Sequence, residues 1–216
     1  MNSEDALRGL LSAERLAPYE AAAQRLGCEP LHLYDWNVQI SSAFFEGLHY
    51  FEVGLRNALD TALQNRYGSH DTEWFDVPGL LTQRSRQAVH DARRRAHGVS
   101  TGRRLSHGKT VAELPLGFWW SLTADEYNRT LWQPALQHAF AGSVRRRTLH
   151  RNVDDLRRLR NRIAHHEPIH GRDLPADHAL LIDSAARIHG SLGVHIAGMS
   201  RVPEVLQLRP TGALKH

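Results

Sequence analysis

Residues 31–67 carry the feature that most constrains the fold. Trp36, Ile40, Phe44, Leu48, Phe51, Leu55, Leu59 and Leu63 recur every three or four positions, the spacing that lines one face of an α-helix. No proline interrupts them, and Gly68 follows as a stop signal. A helix of that length, rising about 1.5 Å per residue, spans roughly 50 Å. Its apolar stripe needs partners, so the rest of the chain must supply surfaces that cover it. The expectation is an all-α bundle built on one very long spine helix.

The remaining segments agree. Runs of alternating apolar and polar residues are absent, whereas i, i+3, i+4 spacing recurs. Helices are expected over residues 13–26, between Ser12 as cap and Gly27 as stop, and over 80–97. Thr110-Val-Ala-Glu113 reads as a capping box that opens a further helix, with Pro115 just inside it. Residues 125–140 read as one helix bent at Pro134. Residues 144–166 form another, capped by Ser143, with Leu149, Val153, Leu156, Leu159 and Ile163 as its apolar stripe. A last helix is expected over 176–196. The 216 residues suit one sizeable core, so residues 1–200 read as one domain and 201–216 as a tail.

Of the 27 basic residues only Lys109 and Lys215 are lysines, leaving 25 arginines. The arginines cluster, and their planar forks match phosphate. Arg103, Arg104 and Lys109, in a Gly/Ser/Arg loop, and Arg162 are candidate RNA-binding residues. Cys28 is the only cysteine, which excludes an internal disulfide and a Cys-based metal site. The acidic start is no secretory signal, and no apolar run reaches membrane-spanning length. A cytoplasmic protein without membrane contact is the expectation.

Chemistry concentrates in Leu156-Arg-Arg-Leu-Arg-Asn-Arg-Ile-Ala-His-His-Glu-Pro168. Arg160, Asn161 and His165 are the candidate catalytic residues. Arg-x4-His alone is weak, since chance supplies roughly one or two matches in so basic a chain; Arg145 and His150 are such a match. Position separates the two: Arg160 and His165 end a strongly periodic helix at a proline. On a helical wheel Asn161 and His165 share a face, and His165 lies about 140° round from Arg160. Arginine and histidine meet if the arginine reaches round, if the last turn distorts, or if two copies of the helix pair. The chemistry that suits them is phosphodiester work without a metal or other cofactor. Histidine moves a proton near neutral pH, arginine neutralises charge on phosphate, and RNA brings its own 2′-hydroxyl nucleophile. Glu52, on the apolar side of the long helix, needs a partner, with Arg160 or Arg56 as candidates. His166 is a second candidate histidine.

Four blocks carry a resemblance: Leu33-Tyr-Asp-Trp-Asn37, Phe51-Glu-Val-Gly-Leu-Arg-Asn57, Glu113-Leu-Pro-Leu-Gly-Phe-Trp119 and Leu159-Arg-Asn-Arg-Ile-Ala-His-His-Glu-Pro168. Over residues 11–192 the chain resembles the Abi-like (abortive infection) proteins of the HEPN superfamily. The resemblance implies a helical bundle, commonly a homodimer, with metal-independent endoribonuclease activity. The catalytic pair is then Arg160 and His165, with Asn161 as polar companion. It further implies a role in phage defence or as the toxin of a toxin–antitoxin pair, with RNA and an antitoxin protein as partners. Some superfamily members are instead non-catalytic modules that bind RNA, a nucleotide or a protein.

Overall fold

The computed structural model describes residues 3–98 and 106–212. Among the described residues there is no strand, and the architecture is all-α. The spine helix forms as the stripe requires: α3 runs Pro30–Tyr67 without a break. All eight stripe residues are buried, Trp36 the most accessible of them at 3%. Burying each contributes about 1.5–3 kcal/mol, so tertiary cover rather than helix propensity holds α3 together.

Before it come α1 (Ser3–Leu11), which periodicity did not signal, and α2 (Ala13–Leu26). Ser12 accepts the Arg15 N–H at 3.4 Å, and Gly27 ends α2 in the left-handed conformation at φ 69°. Pro18 lies inside α2; it removes one backbone bond without ending the helix. After α3, Trp74 and Phe75 are buried on a short 3₁₀ turn, as their bulk demanded. Helix α4 follows at Gln83–Gly98.

Several boundaries depart from expectation, each for a local reason. Helix α5 is His107–Glu113, beginning before Thr110, and the capping box does not form. Glu113 is drawn away: Arg95 Nε bonds its carboxylate at 3.1 Å and Arg95 Nη2 its carbonyl at 2.8 Å. Pro115 then separates α5 from α6 (Leu116–Ser121) by holding Leu114 extended. The helix expected over 125–140 is instead a 3₁₀ turn, a π turn (Asn128–Trp132) and a second 3₁₀ turn. Pro134 has no N–H to continue the ladder, and the Gln137 side chain bonds the Gln133 carbonyl.

Helix α7 runs Arg146–Ala164. The last expected helix is two, α8 (Leu174–Ile188) and α9 (Gly190–Met199). His189 makes the break, its Nδ1 accepting the Ser191 N–H at 3.3 Å. A Cβ on Gly193 would stand 2.7 Å from that of Ala186, so only glycine allows α9 this approach to α8. Residues read as a tail carry α10 (Val202–Gln207). Val202 and Val205 are buried there, and Trp36 Nε1 donates to the Val205 carbonyl at 2.7 Å.

The chain divides into two units. The first holds Met1–Gly47, Leu159–Ala179 and Met199–His216; the second holds Leu48–Arg158 and Leu180–Gly198. No helix among the described residues is long and apolar enough to cross a membrane.

Candidate functional site

The end of α7 and the turn after it belong to the first unit. Leu159 and Ile163 are buried there and fix the rotation of the helix. Arg160 and Asn161 are consequently half-buried, whereas His165 is exposed. The helix stays regular up to the histidine, since the His165 N–H bonds the Asn161 carbonyl at 2.9 Å. Distortion of the last turn therefore does not carry His165 toward Arg160.

The stop comes one residue later. His166 has φ 57°, left-handed backbone that glycine usually occupies at this position. Its N–H bonds the Ile163 carbonyl at 3.0 Å, and the Glu167 N–H bonds the Arg162 carbonyl at 2.8 Å. These two bonds satisfy carbonyls that a helix end leaves open. A non-glycine residue in this conformation costs of order 1 kcal/mol or more, and the surroundings hold it there. Arg15 Nη1 donates to the His166 carbonyl at 2.5 Å. Arg162 donates to the Pro168 carbonyl through Nε at 3.2 Å and Nη2 at 2.8 Å. Asn37 Oδ1 accepts the Ile169 N–H at 2.8 Å and the His170 N–H at 3.1 Å. Arg209 Nη2 donates to the His170 carbonyl at 3.0 Å. Four side chains thus pin the turn that presents His165.

The sequence candidates separate into groups. Arg160 and Asn161 lie on the last turn of α7 and His165 just past its end, with Arg160 and His165 on different sides of the helix. Arg162 braces the turn through Pro168 and stands 3.7 Å from Glu167, so its guanidinium is committed within the protein. His166 is exposed and serves the turn by its backbone. In the second unit Glu52 is half-buried, and Arg56 Nε donates to Asn57 Oδ1 at 3.4 Å. Lys109 is exposed on α5. Arg103 and Arg104 lie outside the described residues.

The His and Asp residues after His165 disperse. His170 turns inward against the Tyr19 ring at 5.1 Å. Burial, then Arg209, Arg25 and Arg162, hold its pKa below the ordinary value, so it is a neutral imidazole. Asp173 caps α8 through the Ala176 N–H, and Asp177 pairs with Arg172 at 2.7 Å. Among the described residues no three His, Cys, Asp or Glu side chains group as metal ligands. The chance match also resolves. His150 stacks on Trp120 at 4.8 Å, and its Nδ1 meets Thr123 Oγ1 at 2.8 Å. Burial lowers its pKa; it is a packing residue.

Two features escaped the sequence reading. Asn37 belongs to no charge or metal pattern, yet its place between Leu33 and Ile40 on the buried face of α3 marks a polar group that must be satisfied. The second is a network in the second unit. His107 Nε2 donates to both Asp60 oxygens, at 2.9 and 2.8 Å, and Trp74 Nε1 donates to Asp60 Oδ1 at 2.7 Å. Phe75 stacks on His107 at 5.2 Å, and Arg93 lies over Phe75 at 4.8 Å while pairing with Glu73 and Asp76. Asp60 raises the His107 pKa against the opposing effect of burial.

No family model, curated protein or solved structure matches the chain.

Proposed function

We propose that the chain is a metal-independent endoribonuclease of the HEPN type, of the Abi-like branch. It acts in phage defence or as the toxin of a toxin–antitoxin pair, in the cytoplasm. One observation carries the reading: an exposed histidine whose ring has no hydrogen bond to a described residue stands on a turn pinned by four side chains, one turn beyond Arg160 and Asn161. A free imidazole on a rigid support is what proton transfer needs. The 2′-hydroxyl of RNA attacks the adjacent phosphorus, and His165 takes its proton. The bond to the 5′-oxygen of the next nucleotide breaks, leaving a 2′,3′-cyclic phosphate and, after protonation, a free 5′-hydroxyl. Arg160 neutralises the charge that builds on the phosphate oxygens.

The wheel separates Arg160 and His165 by about 140°, and the helix is regular through the His165 amide. The reading therefore pairs Arg160 of one copy with His165 of a second across a homodimer, giving two equivalent composite sites. Incubation with single-stranded RNA in EDTA tests it. Wild type cleaves, and His165→Ala and Arg160→Ala do not. Intact RNA, or cleavage only on addition of a divalent cation, overturns the reading.

A further inference from the structure

Within the first unit, Tyr19, Tyr34, Asn37, Phe45, Ile163 and Glu167 line a cleft of about 600 Å³ beside the His166 turn. That volume lies in the range of small-molecule sites, about 300–1,000 Å³. Its lining is what makes it a site. Asn37 is only 4% exposed, and the orientation of its amide is fixed. The backbone N–H groups of Ile169 and His170 both point at one of its terminal atoms. Those groups only donate, so that atom is the oxygen. The amide NH₂ is left on the other side, with two donors that no described residue accepts. These donors face the cleft, where an acceptor on a bound group can take them up.

The surrounding groups narrow the acceptor. Tyr19 and Tyr34 meet edge to face at 4.9 Å. Val38 and Phe45 form an apolar lip, 50% and 45% exposed. Burial pushes the Tyr19 phenol up to about 12, so it remains a neutral donor. Arg15 and Arg162, each bonded to a carbonyl of the turn, act on that same phenol as nearby positive charges. Glu167 supplies a carboxylate acceptor at the rim. Aromatic faces, amide donors, a carboxylate acceptor and cations nearby are together the complement of a planar heterocycle joined to a phosphate. Each nucleobase offers both an acceptor and an N–H on its pairing edge.

We infer that the cleft is a nucleobase subsite, in which Asn37 Nδ2 donates to the base and the rings of Tyr34 and Phe45 supply stacking surface. The base belongs to a mononucleotide or to an RNA strand; with a strand the inference rests on the ribonuclease reading and names where its substrate is gripped.

The test measures binding to the full chain of the four 5′-mononucleotides and of a fluorescent 2′-O-methyl oligoribonucleotide. The latter has no free 2′-hydroxyl and cannot be cleaved, so the result does not depend on catalysis. Asn37→Asp keeps the acceptor for both backbone N–H groups and removes the donors. Phe45→Ala removes an exposed ring. Each is expected to weaken binding by about tenfold, and Phe45→Ala leaves the melting temperature unchanged. Binding of mononucleotides identifies a free nucleotide as sufficient; binding of the strand alone identifies RNA. The subsite is overturned if neither probe binds, or if both variants bind as wild type does. It is also overturned if Phe45→Ala turns a dimer into a monomer without altering nucleotide binding, which assigns the lip to a second copy. A protein that cleaves RNA but binds no base here refutes the subsite alone. One that binds a base here and cleaves nothing refutes the nuclease reading alone.

Discussion

Arg15 donates a hydrogen bond to the carbonyl of His166 at 2.5 Å, a contact between residues 151 positions apart in sequence. It fastens α2 to the one residue of the Leu156–Pro168 segment with left-handed backbone. The division of labour between the adjacent histidines follows. His166 shapes the turn with its main chain, and His165 faces solvent with its side chain.

That division makes His166→Gly informative. Glycine enters left-handed backbone without a Cβ penalty, so the variant is expected to gain about 1 kcal/mol, a rise of roughly 2–4 °C in melting temperature. RNA cleavage should survive in it. Cleavage lost in His166→Gly at unchanged stability would transfer the catalytic role to His166.

Asn37 is expected to be the most costly brace to remove. Asn37→Ala strands two buried backbone N–H groups, at about 1–3 kcal/mol each. Thermal denaturation should show a fall of several degrees. Arg15→Ala, which frees one exposed carbonyl, should cost about 1 kcal/mol or less. Equal melting temperatures for Asn37→Ala and wild type would contradict the account of the turn.

Stability should depend on pH in two opposed ways. The folded-state pKa of His107 is raised above 6.5 by Asp60. Its contribution is fully present below 6.5 and is lost as pH rises through the folded value. For His150, His170 and His178 burial depresses the folded value below 6.5. Their contribution is present above 6.5 and is lost as pH falls through the folded values. Melting curves from pH 5 to pH 9 check this. His107→Gln should lose more stability at pH 6 than at pH 9; a loss independent of pH refutes the Asp60 pairing.

Much of this was legible in sequence, and the exceptions have physical causes. The stripe of α3 signalled its own burial because eight large side chains in register outweigh any local preference. The box at Thr110 misled because Glu113 is claimed by Arg95 on α4, a contact no local pattern reports. One helix over 176–196 was a fair reading of periodicity, but the His189 ring caps a new helix where glycine follows. At the candidate site, the place of Arg160, Asn161 and His165 before Pro168 is a sequence feature. The left-handed His166 is not, since the usual mark of that conformation is glycine. Its braces come from Arg15 and Asn37, more than a hundred residues away.

The central claim is a composite site of Arg160 and His165 from two copies, and mixing two inactive variants tests it most directly. Arg160→Ala and His165→Ala are purified, mixed in equal amounts, allowed to exchange subunits and assayed on single-stranded RNA in EDTA beside wild type. In a mixed dimer one site carries both substitutions and the other carries neither. Half the dimers are mixed and half their sites intact, so the mixture should recover about a quarter of wild-type cleavage. A mixture as silent as its components, beside an active wild type, contradicts the composite site; a silent wild type contradicts the nuclease itself.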